Sequence, residues 1–107
     1  MLRHIVMWNY KDGFTDTENK QNAEKVKYEL ESLKELIDEI IEIKVQINTL
    51  STSNMDIILD SLFENEKSMA AYKIHPAHMR LVEFIPSVLK NRTVFDYYEE
   101  EITCAPM

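Results

Sequence analysis

The segment Leu2–Tyr10, LRHIVMWNY, alternates residue by residue and puts apolar side chains on both of its faces. Leu2, His4, Val6, Trp8 and Tyr10 share one face, and Arg3, Ile5, Met7 and Asn9 share the other, because successive side chains of a strand point to opposite sides. Such a strand needs cover on both sides. That requirement limits the folds open to a chain of 107 residues, which has material for one domain and one modest core.

The turn chemistry of KDGFTD ends the first strand. A helix follows, capped between Thr15 and Thr17, with Ala23, Val26, Leu30, Leu33, Ile37 and Ile40 in one apolar stripe. Glu24, Lys27, Glu31, Lys34 and Glu35 form its solvated face. From Ile41 to Asn48 the period returns to two, with Ile41, Ile43, Val45 and Ile47 on one side. After the polar TLSTSN, Asp56 to Phe63 reads as a third strand, with Ile57, Leu59 and Phe63 on one face and Ile58 and Leu62 on the other. Asn65 can cap a short helix reaching about Ile74, and a second helical piece starts at Pro76. Pro86 has no amide hydrogen and ends that piece near Ile85. Thr93 to Tyr98 is the fourth strand.

The order β-α-β-β-α-β defines an α+β class with a ferredoxin-like antiparallel sheet and helices on one face. The other face would leave Val6, Trp8 and several further apolar residues in water. At ~25 cal/mol per Å² that is too much surface to leave wet, so the pattern predicts a two-fold homodimer that covers it.

Several function classes are excluded. Gly13 is the sole glycine, which removes the glycine-rich phosphate loops and nucleophile elbows. A net charge of −7 argues against a nucleic-acid partner. No apolar run approaches the roughly 20 residues that span a bilayer, and the first residues already read as a strand, not as a signal peptide. Cys104 stands alone and cannot form an internal disulfide, which suits a reducing, cytoplasmic setting.

The chemistry-bearing residues gather in AYKIHPAHMR, residues 71–80. His75 precedes proline and is pushed toward extended backbone; Pro76 suits the first position of the next helix. His78 then lies in the first turn, where the helix dipole disfavours imidazolium and keeps the ring neutral, as a general base requires. Tyr72, one turn before the break, can donate a hydrogen bond to an oxygen that gains negative charge. The same residues also have an ordinary reading: His75 caps a helix, His78 locks the bend and Tyr72 is a half-buried helix residue. No nearby cysteine or obvious acidic partner completes a tetrahedral set with His75 and His78; His4, Asp56, Asp60 and Glu83 are the conceivable further ligands, and no metal is expected. Glu99, Glu100 and Glu101 read as exposed tail charges.

Three stretches together resemble the stress-responsive A/B barrel (Dabb) domain family: LRHIVMW, FENEKSMAAYKIHPAHMRLVEFIPSVL and TVFDYYE, over residues 1–99. Residues 100–107 then form a C-terminal tail. The YxxHPAH segment with the closing FDY strand is the specific part. The resemblance implies a dimeric α+β barrel: a homodimer whose sheets face each other around an interior able to hold a small hydrophobic molecule. Some plant members are polyketide cyclases, cofactor-free aldol catalysts that use a tyrosine and a histidine of this motif. Those positions are Tyr72 and His78 here, and the cyclases' first-strand histidine is His4. A further cyclase histidine falls on Ile57, which departs from that pattern. The implied ligand contacts are His4, Val6, Trp8, Ile57, Leu59 and His75, with Tyr72 and His78 as the candidate catalytic pair. A binding domain without turnover, a cofactor-free lyase or cyclase, and a dimer with a side-chain-filled interior all remain open at this point.

Overall fold

The computed structural model describes residues 1–100. The expectations for Glu101, Cys104 and the rest of the tail lie outside these residues. Seven main elements follow in the expected order: β1 (Leu2–Tyr10), α1 (Asp16–Ser32), β2 (Glu42–Gln46), β3 (Ile57–Phe63), α2 (Glu66–Ile74), α3 (Pro76–Phe84) and β4 (Leu89–Tyr98). The sheet order is β2-β3-β1-β4 with every neighbouring pair antiparallel, which is the ferredoxin-like arrangement.

Local chemistry sets the helix ends. Gly13 takes a φ of 96° in the turn after β1, a conformation that glycine adopts without strain. Thr15 caps α1 in a reciprocal box: its hydroxyl accepts from the Glu18 amide at 3.1 Å, and the Glu18 carboxylate accepts from the Thr15 amide at 2.9 Å. Lys27 and Glu31, expected on a solvated face, instead tie α1 to β2. Glu31 accepts from the Val45 amide at 3.0 Å, and Lys27 donates to Glu31 and to the Val45 carbonyl.

The apolar stripe of α1 is buried through Ile40, but the α-helix stops at Ser32. A 3₁₀ turn, Leu33–Glu35, continues it, and Ile37 and Ile40 sit in the connection to β2. Steps of three suit a 3₁₀ turn as well as an α-helix, so spacing alone does not mark this boundary.

The face of the sheet that meets the helices differs from the expectation. Leu2, His4, Val6 and Trp8 lie buried beneath the helices, with Ile57, Leu59, Ser61 and Phe63 of β3 beside them. The bare face carries Ile5 and Met7 of β1, Ile58 of β3 and Phe95 of β4. The larger apolar set goes under the helices, which removes more apolar surface from water within one chain. At one end of the bare face Arg3 pairs with Glu42, Asp60 and Glu99. Glu99 is exposed, as expected, and is also an ion-pair partner of Arg3.

β4 starts at Leu89, four residues before the expected Thr93. Its pairing with β1 slips between Met7–Thr93 and Asn9–Lys90, and Asn91 at this slip has a φ of 57°. The extra residue of a bulge breaks strand periodicity, which is why Leu89–Arg92 does not read as strand.

Candidate functional site

The site is built around the break between α2 and α3. Asn65 caps α2 by accepting from the Ser68 amide at 2.9 Å. His75 takes extended angles, φ −64° and ψ 135°, as its position before proline dictates. Its amide closes α2 on the Tyr72 carbonyl at 3.2 Å, and its Nδ1 accepts from the Ala77 amide at 3.1 Å to cap α3. His78 follows in the first turn of α3, and its Nδ1–H donates to the Lys73 carbonyl at 2.9 Å. That bond fixes the tautomer and leaves Nε2 with the lone pair.

Between this helical corner and the sheet lies a cavity of about 320 Å³. His4, Tyr72 and His78 share it with Val6, Trp8 and Leu59. Leu81 and Ile85 close it from α3 and the turn beyond, and Leu89 to Arg92 border it from β4. The ring centroids of Tyr72 and His78 are 4.4 Å apart, and those of Tyr72 and His4 are 6.3 Å apart. The Tyr72 hydroxyl is buried and has no hydrogen-bond partner among the described residues. His4, also buried, engages the Asp96 carboxylate through Nδ1, so its Nε2 too is the free ring nitrogen.

Burial is the main cause of every titration shift here. It lowers the pKa of His4, against the pull of Asp96, and it lowers that of His78, against the Lys73 carbonyl. Both imidazoles are therefore neutral at pH 7. Burial raises the Tyr72 phenol well above its ordinary value and keeps it protonated as a donor. The corner thus offers two neutral nitrogen bases and one O–H donor facing a mostly apolar chamber.

Residues 2–99 match the family model described as the Stress Responsive A/B Barrel Domain, Dabb. The chain belongs to this family. Among solved structures, the Dabb chain is similar to a dimeric ferredoxin-like protein of unknown function from Bacteroides fragilis. The two are 26% identical with a TM-score of 0.83, over 90% of this chain and 93% of that one. It is similar in fold to a Dabb family protein from Mesorhizobium loti, at 18% identity and TM-score 0.70, covering 94% and 97% of the two chains. Hydroxynitrile lyase from Passiflora edulis shares the fold as well, at 16% identity and TM-score 0.75, with 95% of each chain covered. No curated protein matches the chain in sequence.

Within the Dabb chain, six of the expected site residues come together: His4, Val6, Trp8, Leu59, Tyr72 and His78 line the one cavity. Ile57 and His75 do not. Ile57 pairs opposite Trp8 at the far end of β1, beside the connection that precedes β3. His75 is committed to the helix break. The cavity also lies inside a single Dabb chain, under its helices, and not between the facing sheets of two copies as the resemblance implies. Sequence reasoning missed Asp96 and Arg92. An acid on the strand face opposite Phe95 and Tyr97 was the available signal for Asp96; the bulge at Asn91 hid Arg92.

Proposed function

We propose that this Dabb domain is a cofactor-free acid–base catalyst that moves a proton next to the carbonyl of a small apolar molecule in the cavity. One observation carries the reading. The buried Tyr72 hydroxyl, without a hydrogen-bond partner among the described residues, shares a chamber with two neutral imidazoles whose Nδ1 atoms are already engaged. An unsatisfied buried hydroxyl costs about 1–3 kcal/mol, and a ligand oxygen at that place removes the penalty.

In the step, the C–H bond beside the carbonyl breaks and its proton goes to an imidazole Nε2. The electron pair moves onto the carbonyl oxygen, which accepts a hydrogen bond from Tyr72. Sequence reasoning gives proton abstraction to His78. The Asp96 contact favours His4 instead, because its imidazolium would form against a carboxylate, whereas the Nδ1 of His78 is engaged by the Lys73 carbonyl. His78 packs on Tyr72 and holds the donor in place. The hydroxynitrile lyase of Passiflora edulis supports an enzyme reading only as far as a shared fold does. A cytoplasmic setting suits the single cysteine.

A second copy is part of the reading. Ile5, Met7, Ile58 and Phe95 form an apolar row on the bare face, and the similar protein from Bacteroides fragilis is described as dimeric. The competing reading is binding without turnover, favoured by the apolar lining from Val6, Leu59, Leu81 and Ile85.

Exchange of the α-protons of 2-octanone in D₂O, followed by proton NMR, tests the two. Catalysis predicts faster exchange than in buffer at the same pH, reduced about 100-fold in both Tyr72→Phe and His4→Gln. Binding of 2-octanone without faster exchange leaves the storage reading and overturns catalysis. Loss of exchange in His78→Gln with full retention in His4→Gln returns the base to His78.

A further inference from the structure

Four consecutive residues, Leu89 to Arg92, border the cavity, which a regular strand cannot provide because alternate residues point away. The bulge makes this possible. Asn91 sits at a φ of 57°, its side chain donates to Asn9 Oδ1 at 3.2 Å, and its carbonyl accepts from the Thr93 hydroxyl at 3.1 Å. The kinked strand thereby turns Arg92 to the cavity.

The charge there is opposite to that of the chain. The protein carries a net −7, yet among the described residues no Asp or Glu borders the cavity, while Lys90 and Arg92 do. Lys90 is paired with Asp12 at 2.9 Å, and Arg3 on the bare face has three carboxylate partners. Arg92 has none among the described residues. Arg92 lines the same cavity as His4, Tyr72 and His78.

We propose that the molecule held in the cavity carries a carboxylate seated on Arg92, with its apolar body beneath α3 among Val6, Leu59 and Leu81. The proposal rests on the reading of this cavity as the ligand site. A guanidinium presents two parallel N–H groups that match the two oxygens of a carboxylate. At about 320 Å³ the chamber stands at the small end of ligand pockets, which suits a short-chain acid.

Hexanoate and its neutral isostere hexanamide provide the test, titrated by calorimetry into the wild-type protein, Arg92→Gln and Arg92→Lys. The proposal predicts that the wild type binds hexanoate at least ten-fold more tightly than hexanamide. The preference vanishes in Arg92→Gln, survives in part in Arg92→Lys, and weakens as salt rises. Equal affinity for the two compounds in the wild type overturns the carboxylate and leaves an apolar ligand site standing. A preference for hexanoate that persists in Arg92→Gln overturns the role of Arg92. Binding of neither compound overturns both the carboxylate and the cavity as a ligand site.

Discussion

Nδ1 of His4 and the carboxylate of Asp96 meet across the β1–β4 pairing, where the two residues are register partners. One strand pair thus supplies both a buried imidazole and the acceptor that fixes its tautomer. Ser61 on the other side of β1 donates to the His4 carbonyl at 2.9 Å, so the backbone at this point is held as well as the ring.

Asp96→Asn keeps an acceptor and removes the charge. Burial lowers the pKa of His4, and Asp96 opposes that shift. The substitution is therefore expected to move the His4 titration midpoint still lower. NMR of the His4 ring protons against pH measures it; a midpoint that stays put or rises contradicts the role given to Asp96.

Tyr72→Phe removes a hydroxyl that has no partner among the described residues while the ring stays packed on His78 and Phe63. Stability is expected to be unchanged or up to about 1 kcal/mol higher, because a buried unsatisfied group is lost. In a domain of this size 1 kcal/mol moves Tm by roughly 4–8 °C. A fall of that size would mean that the hydroxyl is bonded after all.

The element order and the cap at Asn65 were legible because each rests on local pattern: strict alternation in β1, and an Asx residue before a helical run. The break at His75–Pro76 was legible for the same reason. Which face of β1 meets the helices was not. Both faces of LRHIVMWNY are apolar, and the choice depends on the summed packing of β1, β3 and α1, which no single segment encodes. The pairing of His4 with Asp96 spans 92 residues of sequence and depends on a register shifted by the bulge at Asn91, so spacing does not reveal it. His4, Tyr72 and His78 were found from the motif stretches; Asp96 and Arg92, both on the strand that carries the bulge, were not.

Stability is expected to fall as the solution is acidified below neutrality. His4 and His78 both titrate below their ordinary value of 6.5 when folded. The unfolded chain then binds more protons than the folded one, and stability rises with pH. The contribution is whole above about pH 6.5 and is lost as pH drops through the lowered folded values. Urea unfolding at pH 7.5 and pH 5.5 should show the higher midpoint at pH 7.5. His78→Gln should shrink that difference, and an unchanged difference would assign it elsewhere.

His75 acts as a cap and not as a cavity residue, since its Nδ1 accepts from the Ala77 amide. His75→Ala is expected to cost about 1 kcal/mol, and His75→Asn to recover most of it because asparagine caps well. Neither should alter hexanoate affinity by more than about two-fold, a margin of roughly 0.4 kcal/mol. A large loss of affinity with intact stability would bring His75 back into the site.

Phe95 is 61% exposed on the bare face, register partner of Ile5, and Met7 and Ile58 continue the apolar row. A carboxylate placed there would have to be desolvated if a second sheet packs on this face, at a cost of several kcal/mol when unpaired. Phe95→Glu is therefore expected to sediment as a monomer at micromolar concentration where the wild type is a dimer, with an unchanged far-ultraviolet circular dichroism spectrum. Tyr28→Glu on α1 adds the same charge at a residue 72% exposed on the helix layer. It should leave the dimer intact, which separates local desolvation from the general repulsion of a more acidic chain. A wild type that is monomeric at these concentrations, or a dimer that Tyr28→Glu dissociates and Phe95→Glu does not, would move the interface off the sheet.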